Sequence, residues 1–140
     1  MRQILLFAAL AASLALLSGC MLSKTKADTA EDMAGKAAYH KLSAEEAYEM
    51  MASQEVMVVD VRTREEYDGG HIENAVLVPN ESIGSETPEA LPDKEATLLV
   101  YCRSGRRSKD AAQKLLALGY QSVYDFGGVI DWPYELVKEG

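Results

Sequence analysis

Two hydrophobic rhythms alternate along this chain. Short continuous apolar runs, which read as buried strands, give way to stretches with apolar residues three and four apart, which read as helices. The runs are Val56-Met57-Val58-Val59-Asp60-Val61, then Ala75 to Val78 stopped by Pro79, then Thr97 to Tyr101 ending at Cys102, then Ser122 to Tyr124. Helix starts are marked as clearly. Ser43-Ala44-Glu45-Glu46 is a capping box, in which a Ser hydroxyl and a Glu three positions on satisfy free amides reciprocally. It predicts a helix to about Ala52, with Ala47, Met50 and Met51 on its apolar side. Thr63-Arg64-Glu65-Glu66 repeats the box and opens a short helix that Asp68-Gly69-Gly70 ends in a turn. A third helix spans about Arg107 to Leu118, with Ala111, Ala112, Leu115, Leu116 and Leu118 as its inner stripe and Gly119 and Tyr120 closing it. Residues 80–95 are polar and hold two prolines, which predicts a loop with a brief helix near Pro88 to Leu91. Gly127-Gly128 turns the chain into a last helix over about Val129 to Lys138.

Strands alternating with helices predict an α/β domain with a central parallel sheet and helices on both faces. Ligands bind such sheets at the carboxyl ends of strands. Cys102 stands at one such end.

The N-terminus has a different pattern. Ile4 to Leu17 is nearly all Leu, Ala, Ile and Phe, broken by Ser13 and preceded by the single positive charge of Arg2. The run is shorter than the roughly 20 residues a helix needs to cross a bilayer. Its length matches the apolar core of a secretory signal, and it lacks the polar face of a buried helix. Leu17-Ser18-Gly19-Cys20 follows and resembles the lipobox of bacterial lipoproteins. That resemblance implies a signal peptide over residues 1–19, cleavage before Cys20, and acylation of Cys20, whose several chains give stable anchoring. It also implies an extracytoplasmic site, at the periplasmic face of the outer membrane in a Gram-negative host, because Met21 replaces the aspartate that favours inner-membrane retention. From Cys20 to Ala38 the chain is rich in Ala, Lys, Thr, Ser and Asp without an apolar stripe, so it reads as a tether with nascent helix at most around Ala27 to Ala38. The folded domain is then residues 39–140.

Composition narrows the function. The 140 residues fit one domain, 48% hydrophobic and 26% charged, with a net charge of −8. An acidic surface repels nucleic acid and anionic headgroups, so neither is an expected partner. Two cysteines in unlike settings, and two histidines without ligand spacing, predict no thiolate-based metal site.

Against this acidic background, positive charge gathers in one place. Cys102-Arg103-Ser104-Gly105-Arg106-Arg107, followed by Ser108 and Lys109, joins the third strand to the third helix. If this loop curls around the sulfur, its backbone N–H groups form an anion nest, reinforced by the helix N-terminus. Gly105 permits a left-handed backbone within the curl. Arg103, Arg106, Arg107 and Lys109 add cations, and together these features are expected to hold Cys102 as thiolate. A persulfide suits such a cradle, because its terminal sulfur is anionic.

Asp60-Val61-Arg62, Glu66-Tyr67, Gly70-His71-Ile72, Ala75, Pro79-Asn80, Tyr101 through Ser108, and Gly127-Gly128 with Trp132 together resemble the single-domain rhodanese family from about Lys41 onward. The resemblance implies a rhodanese-like α/β fold and an enzyme that moves sulfane sulfur from thiosulfate, a persulfide or a polysulfide to a thiol or cyanide. It implies a persulfide on Cys102, an anion-binding loop of Arg103, Ser104, Gly105, Arg106 and Arg107, and no cofactor. Asp60 and Arg62 then brace the loop's surroundings or stand as a surface ion pair. His71 is read as a packing and hydrogen-bonding residue rather than a general base, since a cradled thiolate needs none. Trp132 and Pro133 are read as core or rim. Two alternatives share parts of this pattern. A phosphatase or arsenate reductase carries Cys, five residues, then Arg, whereas this chain has Ser108 there and its arginine one position earlier. A non-catalytic sulfur-sensing or partner-binding module would share the fold, and the intact cysteine argues against it.

Overall fold

The computed structural model describes residues 37–138. The apolar leader, Cys20 and the tether up to residue 36 lie outside the described residues. Ten short elements follow in order: β1 (Ala38–Lys41), α1 (Ala44–Ser53), β2 (Met57–Asp60), α2 (Arg64–Asp68), β3 (Val76–Leu77), a 3-10 turn (Asn80–Ser82), β4 (Thr97–Cys102), α3 (Arg106–Ala117), β5 (Ser122–Gly128) and a second 3-10 turn (Val129–Asp131). The strands form one five-stranded sheet in the order β1-β5-β4-β2-β3, and every pair is parallel.

Side chains alternate across this sheet with the period of two that strands impose. Val59, Leu98, Val100, Cys102 and Val123 face α3, where Ala111, Ala112 and Leu115 meet them. Val58, Leu99, Tyr101, Tyr124 and Phe126 face the other way, onto Ala47 of α1 and Tyr67 of α2. The sheet is therefore buried on both faces, which is why its strands read as unbroken apolar runs. Among the described residues no helix is long and apolar enough to cross a membrane.

Local signals fix most boundaries. Both capping boxes form: the Glu46 amide donates to Ser43 Oγ at 3.1 Å and the Glu66 amide to Thr63 Oγ1 at 3.3 Å, while each Glu carboxylate accepts from the cap's own N–H. Gly119 closes α3 at φ +95°, its amide reaching Leu116 O at 3.0 Å and the Tyr120 amide reaching Leu115 O at 3.2 Å. That is the paired bonding of a Schellman end.

Three elements differ from expectation. The chain enters the sheet through β1, which has no apolar run of its own; it forms because β5 offers an edge and binds Tyr39 and Lys41. No helix forms at Pro88 to Leu91, where a single turn (Leu91 N–H to Pro88 O, 2.9 Å) suffices, and the 3-10 turn comes earlier, after Pro79. The expected last helix is absent. After Val129–Asp131 the backbone extends at Trp132 (ψ 113°), as a residue before proline prefers. Val137 then exchanges two hydrogen bonds with His71, at 2.8 and 2.9 Å, and this pairing replaces helical ones.

Candidate active site

Cys102 is the last residue of β4, where a buried strand must turn at once into α3. The turn takes three residues, Arg103 to Gly105, and Gly105 caps the helix at φ +101°. That left-handed value swings the Gly105 amide back onto Cys102 Sγ, at 3.0 Å. The thiol is 1% exposed and unpaired. Burial pushes its pKa up, but the Ser108 and Gly105 amides, the Ser108 hydroxyl and the Ser104 amide outweigh burial and leave it below the ordinary thiol value. Hydrogen-bond donors aimed at a buried sulfur stabilise its charged form.

The curl is held from behind by the end of β5. A Cβ at Gly128 would stand 2.2 Å from Arg103 O, so only glycine fits against the loop there. Ile130 N–H donates to that same carbonyl at 3.2 Å.

The arginines differ in their engagement. Arg107 grips Glu66 of α2 through two bonds of 2.8 Å, which with the Thr63 amide hold the Glu66 carboxyl at about 2. Its charge is largely matched, although it still feels Cys102. Arg103, Ser104, Arg106 and Lys109 are exposed at the loop's outer face. Amides, rather than a ring of guanidinium groups, are therefore the donors that act directly on the sulfur.

A buried carboxylate lies beside the loop. Asp125 of β5 accepts from Tyr39 Oη (2.6 Å), Lys41 Nζ (3.2 Å), Ser108 Oγ (2.7 Å) and the Gly127 amide (2.9 Å). It ties β1, β5 and the first turn of α3 together.

A second polar network lies on the opposite face of the sheet. Asp60 is 0% and Arg62 5% exposed. Arg62 reaches Asp60 through Nη2 at 2.6 Å and Nε at 3.0 Å, and donates to Gly70 O at 2.8 Å. Tyr101 Oη donates to Asp60 Oδ2 at 2.5 Å and accepts the Ile72 amide at 3.1 Å. Burial, then the charge and hydrogen bond of Asp60, push the Tyr101 phenol far up, so it remains a donor. This pair is therefore internal, not a surface ion pair. It joins the residue before Cys102 to the 70–72 turn. His71 stacks on Tyr67 (ring centroids 3.6 Å apart), with Nδ1 2.9 Å from Tyr67 O.

Comparison with known proteins follows the same outline. A model of the rhodanese-like domain matches residues 43–133. The chain belongs to the rhodanese-like domain family. A tRNA uridine(34) hydroxylase from Yersinia pestis is 32% identical over an alignment of 106 residues that covers 72% of this chain and 30% of that protein. The chain thus spans about 30% of the length of such curated relatives. Among solved structures, a rhodanese from E. coli is 35% identical, with a TM-score of 0.54 over 59% of this chain and 98% of its own. A human single-domain sulfurtransferase is 27% identical, with a TM-score of 0.59 over 66% of this chain and 93% of its own.

Within the rhodanese-like domain, the structure gathers Cys102, Arg103, Ser104, Gly105, Arg106 and Arg107 into one turn, and sets Asp60, Arg62 and His71 behind it rather than against the sulfur. Sequence reasoning missed Asp125, Tyr39 and Lys41, and gave Ser108 and Tyr101 no task. One signal was available: Ser108 opens the buried stripe Ala111, Ala112, Leu115, and a polar side chain on a buried face requires a partner. Nothing in the sequence named Asp125 as that partner.

Proposed function

We propose that this protein is a sulfurtransferase that carries sulfane sulfur as a persulfide on Cys102. The observation that carries the reading is a buried sulfur at a strand end that accepts the Gly105 amide at 3.0 Å, in a loop whose amides hold its pKa below the ordinary thiol value despite burial. In the first displacement the Cys102 thiolate attacks the outer sulfur of thiosulfate, a persulfide or a polysulfide. A new S–S bond forms at Sγ, the donor's S–S bond breaks, and sulfite or a thiolate leaves with the electron pair. In the second, cyanide or an acceptor thiolate takes the outer sulfur, and Cys102 leaves as thiolate. The cradle amides are already oriented for the charge in both steps. The human relative's description as a sulfurtransferase supports this chemistry. The hydroxylase name belongs to much longer relatives, with which only this domain is shared.

Arg107 weighs against phosphate-ester chemistry, because Glu66 occupies both faces of its fork. The direct test is the mass of the Cys102 peptide after the full-length chain meets thiosulfate. It is expected to gain one sulfur atom; a peptide of unchanged mass overturns the reading.

Anchoring is part of the proposal and rests on the Leu17-Ser18-Gly19-Cys20 pattern. Lipid on Cys20 places the domain outside the cytoplasm, at the outer membrane in a Gram-negative host. Expressed with its leader, the chain is expected in the membrane fraction. Cys20→Ser is expected to remove it from that fraction, and continued membrane retention of that variant counts against the anchor.

A further inference from the structure

Tyr48, Trp132 and Tyr134 share one cleft away from the reactive loop. With the backbone extended at Trp132, both Trp132 and Tyr134 reach Tyr48 on the exposed side of α1. The two tyrosine rings stack at 3.8 Å with planes 17° apart, and the indole crosses Tyr134 at 71° with centroids 5.0 Å apart. Ring surfaces of two orientations therefore border a cleft of about 640 Å³, within the roughly 300 to 1,000 Å³ of small-molecule sites. These rings are poorly placed for stability alone. Tyr48 is 45% exposed, and Trp132 Nε1 is buried without a hydrogen-bond partner among the described residues. An indole N–H in a core position usually finds one.

The cleft is also negative. Glu73 and Glu135 line it and no lysine or arginine does. Neither carboxylate has an ion-pair partner among the described residues. Burial, then the Glu45 charge, Tyr48 and the Glu49 charge, push the Tyr134 phenol up. The ring faces add the negative side of their quadrupoles. The matching occupant is a cation. A metal ion fits badly, because among the described residues no three His, Cys, Asp or Glu side chains gather as ligands. A primary ammonium brings three N–H donors, which ring faces satisfy poorly. A quaternary ammonium has none to satisfy and turns its methyl groups to the rings.

We propose that this cleft binds a quaternary ammonium compound of the choline class, its methyl groups against Tyr48, Trp132 and Tyr134 and its charge offset by Glu73 and Glu135. Cys102 and its loop do not line the cleft, so binding there is separate from sulfur transfer.

The full-length chain holds one tryptophan, so its fluorescence in nonionic detergent reports on this cleft alone. Choline chloride is expected to change that fluorescence saturably. Its half-saturation is expected about tenfold below that of the alcohol in which carbon replaces the nitrogen. Sodium chloride at the same ionic strength is expected to change nothing. Tyr134→Leu keeps an apolar body, and is expected to weaken choline about tenfold while leaving the alcohol within about twofold. Glu73→Gln together with Glu135→Gln is expected to act in the same direction. Sulfur gain on Cys102 is expected to be unchanged in these variants. Equal half-saturation for choline and the alcohol overturns the proposal, because the cleft then selects shape without charge. Absence of a saturable response, with no labelled choline retained in equilibrium dialysis, overturns it as well. Both comparisons use the parent chain, so they decide even if a variant fails to fold. Glycerophosphocholine separates two sources of the same cation. Its phosphate is repelled by Glu73 and Glu135, so free choline is expected to bind more tightly; the reverse order would keep the ammonium site and assign it to a lipid headgroup.

Discussion

Cys102→Ser is expected to abolish thiocyanate formation from thiosulfate and cyanide, a fall of at least about a thousandfold, or roughly 4 kcal/mol of barrier. The cause is chemical rather than structural. A serine hydroxyl stays protonated where a thiol ionises, and among the described residues the hydrogen bond at position 102 comes from a backbone amide, not from a base that could take its proton. His71, the histidine weighed as a general base, is stacked on Tyr67 with Nδ1 on a backbone carbonyl. Oxygen is also a poor partner for sulfane sulfur, so no persulfide analogue accumulates. The fold has little reason to respond. A serine at this site still accepts the Gly105 amide, and the smaller side chain is expected to cost about 1 kcal/mol. Unchanged circular dichroism and a nearly unchanged thermal midpoint therefore belong to the prediction. A serine variant that still turns over would remove Cys102 from the mechanism altogether.

The parts of this fold that were legible in the sequence are those governed by neighbours along the chain. Ser43 and Thr63 announce their helices because a capping box closes within four residues. Gly119 ends α3 because one left-handed residue satisfies two carbonyls locally. The runs at Val56 and Thr97 read as strands because both sheet faces are covered. Cys102 and its loop were legible for the same reason: strand, glycine and helix start all lie within a few positions.

What was illegible depends on contacts across the chain. β1 carries no apolar signal and owes its form to an edge some eighty residues away, through Tyr39 and Lys41 on Asp125. The segment after Val129 was expected to be a helix, but Pro133 and the His71 backbone draw it straight. The arginines misled in a more instructive way. Four cations near a thiol were expected to add to the nest of amides, but Arg107 is consumed by Glu66, a residue whose partner the sequence did not show. Charge counting along a sequence cannot separate a cation that serves a ligand from one that fastens two helices. Glu66 does both local and tertiary work, and that dual use is what connects α2 to the base of the reactive loop.

The largest effect on stability is expected from Arg62→Ala, a loss of about 3 to 5 kcal/mol. A domain of this size is held by roughly 5 to 15 kcal/mol, so the thermal midpoint should fall steeply. The guanidinium makes three separate commitments: two nitrogens on Asp60 and a bond to Gly70 O. Alanine leaves Asp60 fully buried, facing only the Tyr101 hydroxyl and the backbone amide of residue 62. An ionised carboxylate stranded in that way is far costlier than a missing contact. Removing the stranded charge should relieve this cost. Asp60→Asn added to Arg62→Ala is expected to give a double variant more stable than Arg62→Ala alone, measured by urea unfolding. A single variant within about 1 kcal/mol of the parent, or a double variant weaker than the single one, would show that the pair is not the electrostatic unit its geometry implies. Tyr101 links this test to the chemistry. Its hydroxyl holds Asp60 and the Ile72 amide while its backbone leads straight into Cys102. Loss of Arg62 therefore loosens the strand end that aims the sulfur, and activity at temperatures below the unfolding transition is expected to fall before the fold itself does.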